Sequence, residues 1–77
     1  MPKLPAIKDK QLIKAMEKLG FCRYRQKGTS HLVMIHSDSR RAIIPIHPGK
    51  DIPRGTLKGI LRDLEISNEE FIKLLKE

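Results

Sequence analysis

The chain predicts an α+β domain: one helix, three antiparallel strands, then two further helices, with the helices on one face of the sheet. Three observations carry this. Apolar residues recur at helical spacing before residue 20 and again after residue 56, three β-rich runs lie between residues 21 and 46, and residues suited to tight turns separate those runs. The 77 residues leave room for a single domain, 1–77. A chain of this size buries only about 60% of the surface its unfolded form exposes, so its stability margin is thin.

Each element follows from local pattern. Leu12, Ala15, Met16 and Leu19 fall on one face of a helix over 9–19. Asp9 is suited to cap its start, and Gly20 to end it in a left-handed conformation with Phe21 folding back. Residues 21–26 alternate as a strand, with Phe21, Arg23 and Arg25 on one side and Cys22, Tyr24 and Gln26 on the other. Cys22 reads as a small buried strand residue, and Tyr24 as core or partly buried, although a tyrosine can also stack on a base. A turn at 27–30 leads to a second strand over 31–36, and Ser37-Asp38-Ser39 turns the chain into a third over 41–46, where Pro45 marks an edge or an end. After the loop 47–51, Leu57, Ile60, Leu61 and Leu64 predict a helix starting between Pro53 and Thr56. Gly59 weakens it by about 1 kcal/mol relative to alanine, in exchange for a possible close approach to the sheet. The last helix has a capping box, Ser67-Asn68-Glu69-Glu70, and a hydrophobic staple of Ile66 and Phe71. In the second strand Leu32 and Met34 point one way and Val33 and Ile35 the other. With helices on one face only, one pair needs a strand curl or a partner to cover it.

Charge points to a polyanionic partner. Sixteen Lys and Arg stand against nine Asp and Glu, for a net +7, and residues 1–62 alone reach +10 with fourteen bases against four acids. Such an excess binds phosphate backbones through counterion release, though a solubilising surface uses the same residues. One cysteine excludes an internal disulfide. The longest uninterrupted apolar run, Leu32 to Ile35, excludes a helical membrane span, and residues 1–5 have no signal-peptide core, so the expected compartment is the cytoplasm. His31, His36 and His47 are spaced like no common metal motif, and neither a metal nor a cofactor is expected.

His31 is the candidate for chemistry. It follows a glycine-containing turn and opens a strand, a few residues from Arg23, Arg25 and Lys27. Backbone N–H groups of Gly28, Thr29 and Ser30 are suited to a phosphate. An imidazole titrates near neutral pH and can take the proton of an RNA 2′-hydroxyl, which then attacks the adjacent phosphorus. A strand-end histidine with only local hydrogen bonds has the same sequence. His47 reads as an RNA contact, an acid partner or a structural residue at a loop start. His36 has no assigned role, and Arg40, Arg41, Lys50 and Arg54 are further phosphate candidates.

The ordered motifs are more specific than any single one. Gln11 to Phe21, then Gly28-Thr29-Ser30-His31, then Ile44-Pro45-Ile46-His47-Pro48-Gly49-Lys50, then Gly55 to Leu61, and finally Ile66 to Phe71 together resemble the HicA toxin family across nearly the whole chain. The resemblance implies a fold like the double-stranded RNA-binding domain and an mRNA-cleaving, metal-independent endoribonuclease that arrests translation. It also implies a HicB-type antitoxin that masks the site, and it carries the family's catalytic histidine onto His31. Many members read Gly-Ser-His, whereas two residues separate Gly28 from His31 here, which bears on loop geometry. Two rival readings stay open: a non-catalytic RNA-binding module of the same fold, and an interaction protein whose open strand face binds another protein.

Overall fold

A computed structural model of the chain describes residues 3–27 and 30–77. The elements run α1 (Asp9–Leu19), β1 (Cys22–Lys27), β2 (His31–Ile35), β3 (Arg41–Pro45), α2 (Arg54–Asp63) and α3 (Asn68–Lys76). The three strands form one antiparallel sheet in the order β1-β2-β3, so the α+β prediction holds.

Helix α1 is capped differently from the expectation. Lys8, not Asp9, is the N-cap, and the Gln11 side chain reaches back to accept the Lys8 N–H at 2.9 Å. Asp9 is the first helical residue, and its Oδ1 accepts the Lys10 N–H at 2.7 Å. A carboxylate one residue into the helix still meets the unpaired N–H groups and the positive end of the helix dipole, so its value at the terminus is kept. At the other end Gly20 takes φ 106°, a left-handed conformation, and the Phe21 N–H bonds the Met16 carbonyl at 3.0 Å. Phe21 is thereby buried as part of the helix cap, and β1 begins one residue later than the alternation suggested.

The core lies between the sheet and the helices. Leu32 and Met34 of β2 and Ala42 and Ile44 of β3 join Leu12 and Met16 of α1, Leu57 and Leu61 of α2, and Phe71 of α3 in one buried cluster. All three helices therefore cover the same face. Residues directly opposite in an antiparallel ladder share a face, so His31, Val33, Ile35 and Ile43 stand on the other one. Val33 is only 6% exposed on that central strand, but Ile43 is 58% exposed. No described element supplies a second layer there.

Strand β1 departs from simple alternation. Arg23 pairs with Met34 and Arg25 with Val33, so the register shifts between them and Tyr24 is the extra residue of a β-bulge. Arg23 and Arg25, expected on one side, thus fall on opposite faces: Arg23 on the helix side, Arg25 on the open side. Cys22, expected to be buried, and Tyr24, expected in the core or partly buried, are both exposed, Tyr24 by 58%. The reason is position: β1 is an edge strand, and none of its residues belongs to the core cluster. Strands β2 and β3 each end one residue before the expected limit.

The helical half agrees more closely with its local signals. Helix α2 starts after Pro53 and buries Leu57 and Leu61. Gly59 gives no close approach, because a Cβ built there meets nothing within 4 Å. Helix α3 starts as expected: the Ser67 hydroxyl accepts the Glu70 N–H at 3.1 Å, and both staple residues, Ile66 and Phe71, are buried. Removing the Phe71 ring would cost about 3–5 kcal/mol, a large share of a small domain's stability. Lys18 of α1 donates its ammonium to the carbonyls of Leu74, at 2.8 Å, and Glu77, fastening the negative end of α3 to α1. No described helix is long and apolar enough to cross a membrane.

Candidate active site

His31 begins the central strand, between Lys27 of β1 and Pro45 of β3 in the ladder. Pro45 has no N–H to donate, and the pairing is carried past it by the Ile46 N–H on the Ser30 carbonyl at 2.7 Å. That bond holds the chain just before His31, and the ladder holds it just after, while the ring itself stays exposed. The only described partner of the imidazole is the Ser30 hydroxyl, 3.2 Å from Nδ1. In the tautomer with hydrogen on Nδ1, that N–H donates to Ser30 Oγ. Nε2 is then left with a free lone pair, the form a general base requires.

The remaining site expectations divide by face and by end of the sheet. Arg25 and Arg41 lie on the open face with His31, since they pair with Val33 and Ile35. Arg23 does not join them: the bulge turns it to the helix side, into a cleft with Gln26 and Leu32. His47 is exposed two residues beyond Pro45, the residue opposite His31, at the same end of the sheet. It opens a turn in which its carbonyl accepts the Lys50 N–H at 3.0 Å and Gly49 takes φ 79°. Lys50 and Arg54 are exposed. Gly28 and Thr29, and the side chain of Lys27, lie outside the described residues.

Two residues have structural work that the sequence did not signal. Arg40, read as a phosphate candidate, is committed inside the fold. Its Nε donates to Asp38 Oδ2 at 2.7 Å, its Nη1 to the Leu64 carbonyl at 2.8 Å, and its guanidinium lies 5.4 Å from the centre of the Phe21 ring. His36, which had no assigned role, lies within 3.1 Å of the Leu19 carbonyl through Nε2 and of the Asp38 N–H through Nδ1. The neutral ring with hydrogen on Nε2 satisfies both bonds. Nδ1 is also 3.1 Å from Asp38 Oδ1, a contact that becomes an ion pair only when the ring takes a second proton. The Asp38 carboxyl is held below its ordinary value of 3.8, chiefly by the Arg40 N–H, with the Arg40 side chain and its charge adding to the effect and desolvation opposing it. No sequence pattern joins residues 19, 21, 36, 40 and 64, because they meet only when the sheet packs on the helices.

Chemically, the His31 end offers an exposed imidazole with one ring nitrogen oriented and the other open, Arg25 on the same face, and a second exposed histidine just beyond the ladder. Among the described residues, no three His, Cys, Asp or Glu side chains come together as a group able to hold a metal ion. The model of one protein family, described as the HicA toxin of bacterial toxin–antitoxin systems, matches residues 10–66. A search of curated proteins returns no match.

Proposed function

The chain belongs to the HicA toxin family of bacterial toxin–antitoxin systems, and from that premise we propose that it is a cytoplasmic endoribonuclease that cleaves mRNA and arrests translation, with His31 as its general acid–base. The observation that carries the reading is the state of His31: exposed, at a strand start, with Nδ1 against Ser30 and Nε2 without a hydrogen-bond partner among the described residues.

RNA brings its own nucleophile. His31 Nε2 takes the proton of a 2′-hydroxyl, the 2′-oxygen attacks the neighbouring phosphorus, and the 5′-oxygen leaves, giving a 2′,3′-cyclic phosphate and a 5′-hydroxyl end. Arg25, on the same face and opposite Val33 two residues along the strand, offsets the charge that builds on the phosphate oxygens. No metal is required by this route. His47 lies at the same end of the sheet and is the candidate to donate a proton to the leaving oxygen.

The partner is proposed to be a HicB-type antitoxin. The open face combines Arg25 and Arg41 with the exposed Ile43, so a partner that offers acidic side chains and an apolar contact fits it. Such a complex covers His31. Diethyl pyrocarbonate should modify His31 in the free chain and not in the complex, and full modification in the complex would remove masking by occlusion.

The deciding experiment is RNA cleavage in EDTA by the purified chain and by His31→Ala, with circular dichroism on both. Cleavage by the wild type and none by the folded variant is the expected result. RNA binding without cleavage by either protein makes the chain a binding module instead.

A further inference from the structure

Beneath the β1 edge, on the helix side of the sheet, lies a cleft of about 350 Å³ that the nuclease reading leaves unused. Its floor is apolar, formed by Ile13 of α1, Leu32 of β2 and Ile46. Asp9, Arg23 and Gln26 provide polar groups in its wall. The cleft is near the lower end of the size range of small-ligand sites, about 300–1,000 Å³. Its lining lies toward the His31 end of the sheet, on the opposite face from the His31 side chain: Leu32 follows His31, and Ile46 precedes His47.

We propose that this cleft holds a nucleobase of the RNA next to the cleavage site, that it prefers guanine, and that Asp9 is the residue that selects it. The proposal rests on the RNA-cleaving reading and specifies where substrate selection occurs. An apolar floor gains nothing from a bare phosphate but is covered well by a flat base. Asp9 supplies the discrimination. It is 6% exposed, Oδ1 already accepts the Lys10 N–H, and its second oxygen has no hydrogen-bond partner among the described residues.

An ionised carboxylate only accepts hydrogen bonds, so it needs a base edge that presents donors. Guanine presents two side by side, N1–H and the N2 amino group. Adenine and cytosine place a ring-nitrogen acceptor beside their amino group, and uracil flanks its single N3–H with two carbonyls. Each of those three turns a lone pair toward the Asp9 charge. The cations around the opening suit the phosphates of the same strand. Among the described residues Lys8 pairs with Asp51 at 3.1 Å and Arg23 with Glu17 at 3.9 Å, both exposed ion pairs of little strength that can exchange for phosphate.

The test uses the full chain and four mononucleotides, GMP, AMP, CMP and UMP, with IMP as a fifth probe that lacks only the N2 amino group. Titrations are followed by NMR on the methyl groups of Ile13 and Ile46 and on the Lys10 amide. GMP should perturb these signals and bind about tenfold more tightly than AMP, CMP or UMP, with IMP weaker than GMP. Asp9→Asn, checked for folding by circular dichroism, should erase the preference. The GMP–IMP comparison needs no variant and stands if Asp9→Asn does not fold. Equal affinity for the four nucleotides, or perturbation that bypasses the cleft, overturns the proposal. RNA cleavage is scored in parallel on the wild type. Cleavage without guanine selection removes the cleft and leaves the nuclease, whereas guanine selection without cleavage removes the nuclease and keeps the cleft as an RNA-binding site.

Discussion

The two ends of the central strand carry a histidine each, and they use it in opposite ways. His31, at the start of β2, is exposed and meets one hydroxyl. His36, just past its end, is largely buried, with both ring nitrogens bonded and its edge against Phe21 at a centroid distance of 5.1 Å. Around it, Arg40 joins Asp38, Phe21 and the Leu64 carbonyl. A ring held on both nitrogens is poorly placed to exchange protons with a substrate, while a ring held on one is oriented and still available. The difference separates a histidine that can do chemistry from one that closes a helix end.

Exchange of side chains at the two ends tests that contrast. His31→Ala should lower RNA cleavage by about 10²–10⁴-fold, the usual contribution of a positioned acid–base, with an unchanged melting temperature. His36→Ala should do the reverse. It leaves the Leu19 carbonyl and the Asp38 N–H without partners, a cost of about 1–3 kcal/mol in urea unfolding, while cleavage per folded molecule stays at the wild-type level. If His36→Ala removes cleavage without loss of stability, the assignment of roles is inverted.

Gly20→Ala sharpens the structural end alone. The residue is left-handed at φ 106°, and an added Cβ would come within 3.0 Å of His36 Nε2. A loss of roughly 1–2 kcal/mol is expected from the backbone conformation, again without an effect on the chemistry of His31. The smallest effect is a pH dependence. Asp38 has a lowered pKa in the folded chain, so its stabilisation is present above the ordinary carboxylate value of 3.8 and fades as the pH falls through the folded value. Asp38→Asn should therefore lower the melting temperature slightly near neutrality and flatten the acid limb below about pH 4, so that the two thermal-melt curves converge at low pH.

Legibility followed the same division. Helix α1 was readable to its limits because Leu12, Ala15 and Met16 repeat on one face and Gly20 must stop the helix. Helix α3 was readable because its cap and staple are contiguous in sequence. The bulge in β1 was not. An edge strand of Cys, Arg, Tyr, Arg, Gln and Lys has no core residue, and therefore no apolar period whose break would reveal an extra residue. That hidden bulge is why Arg23 was placed beside Arg25 and why the cleft that Arg23 enters had no sequence signal. Gly59 misled for a related reason, since a glycine permits a close approach without causing one.

Local patterning was thus enough to set the order of the elements, the buried faces of the helices and the candidacy of His31, because each depends on residues within a few positions of one another. The faces of Arg23 and Arg25, the commitment of Arg40 and the contrast between His31 and His36 came from packing. Each of those depends on which distant backbone groups a side chain meets, and those meetings exist only after the sheet closes against the helices.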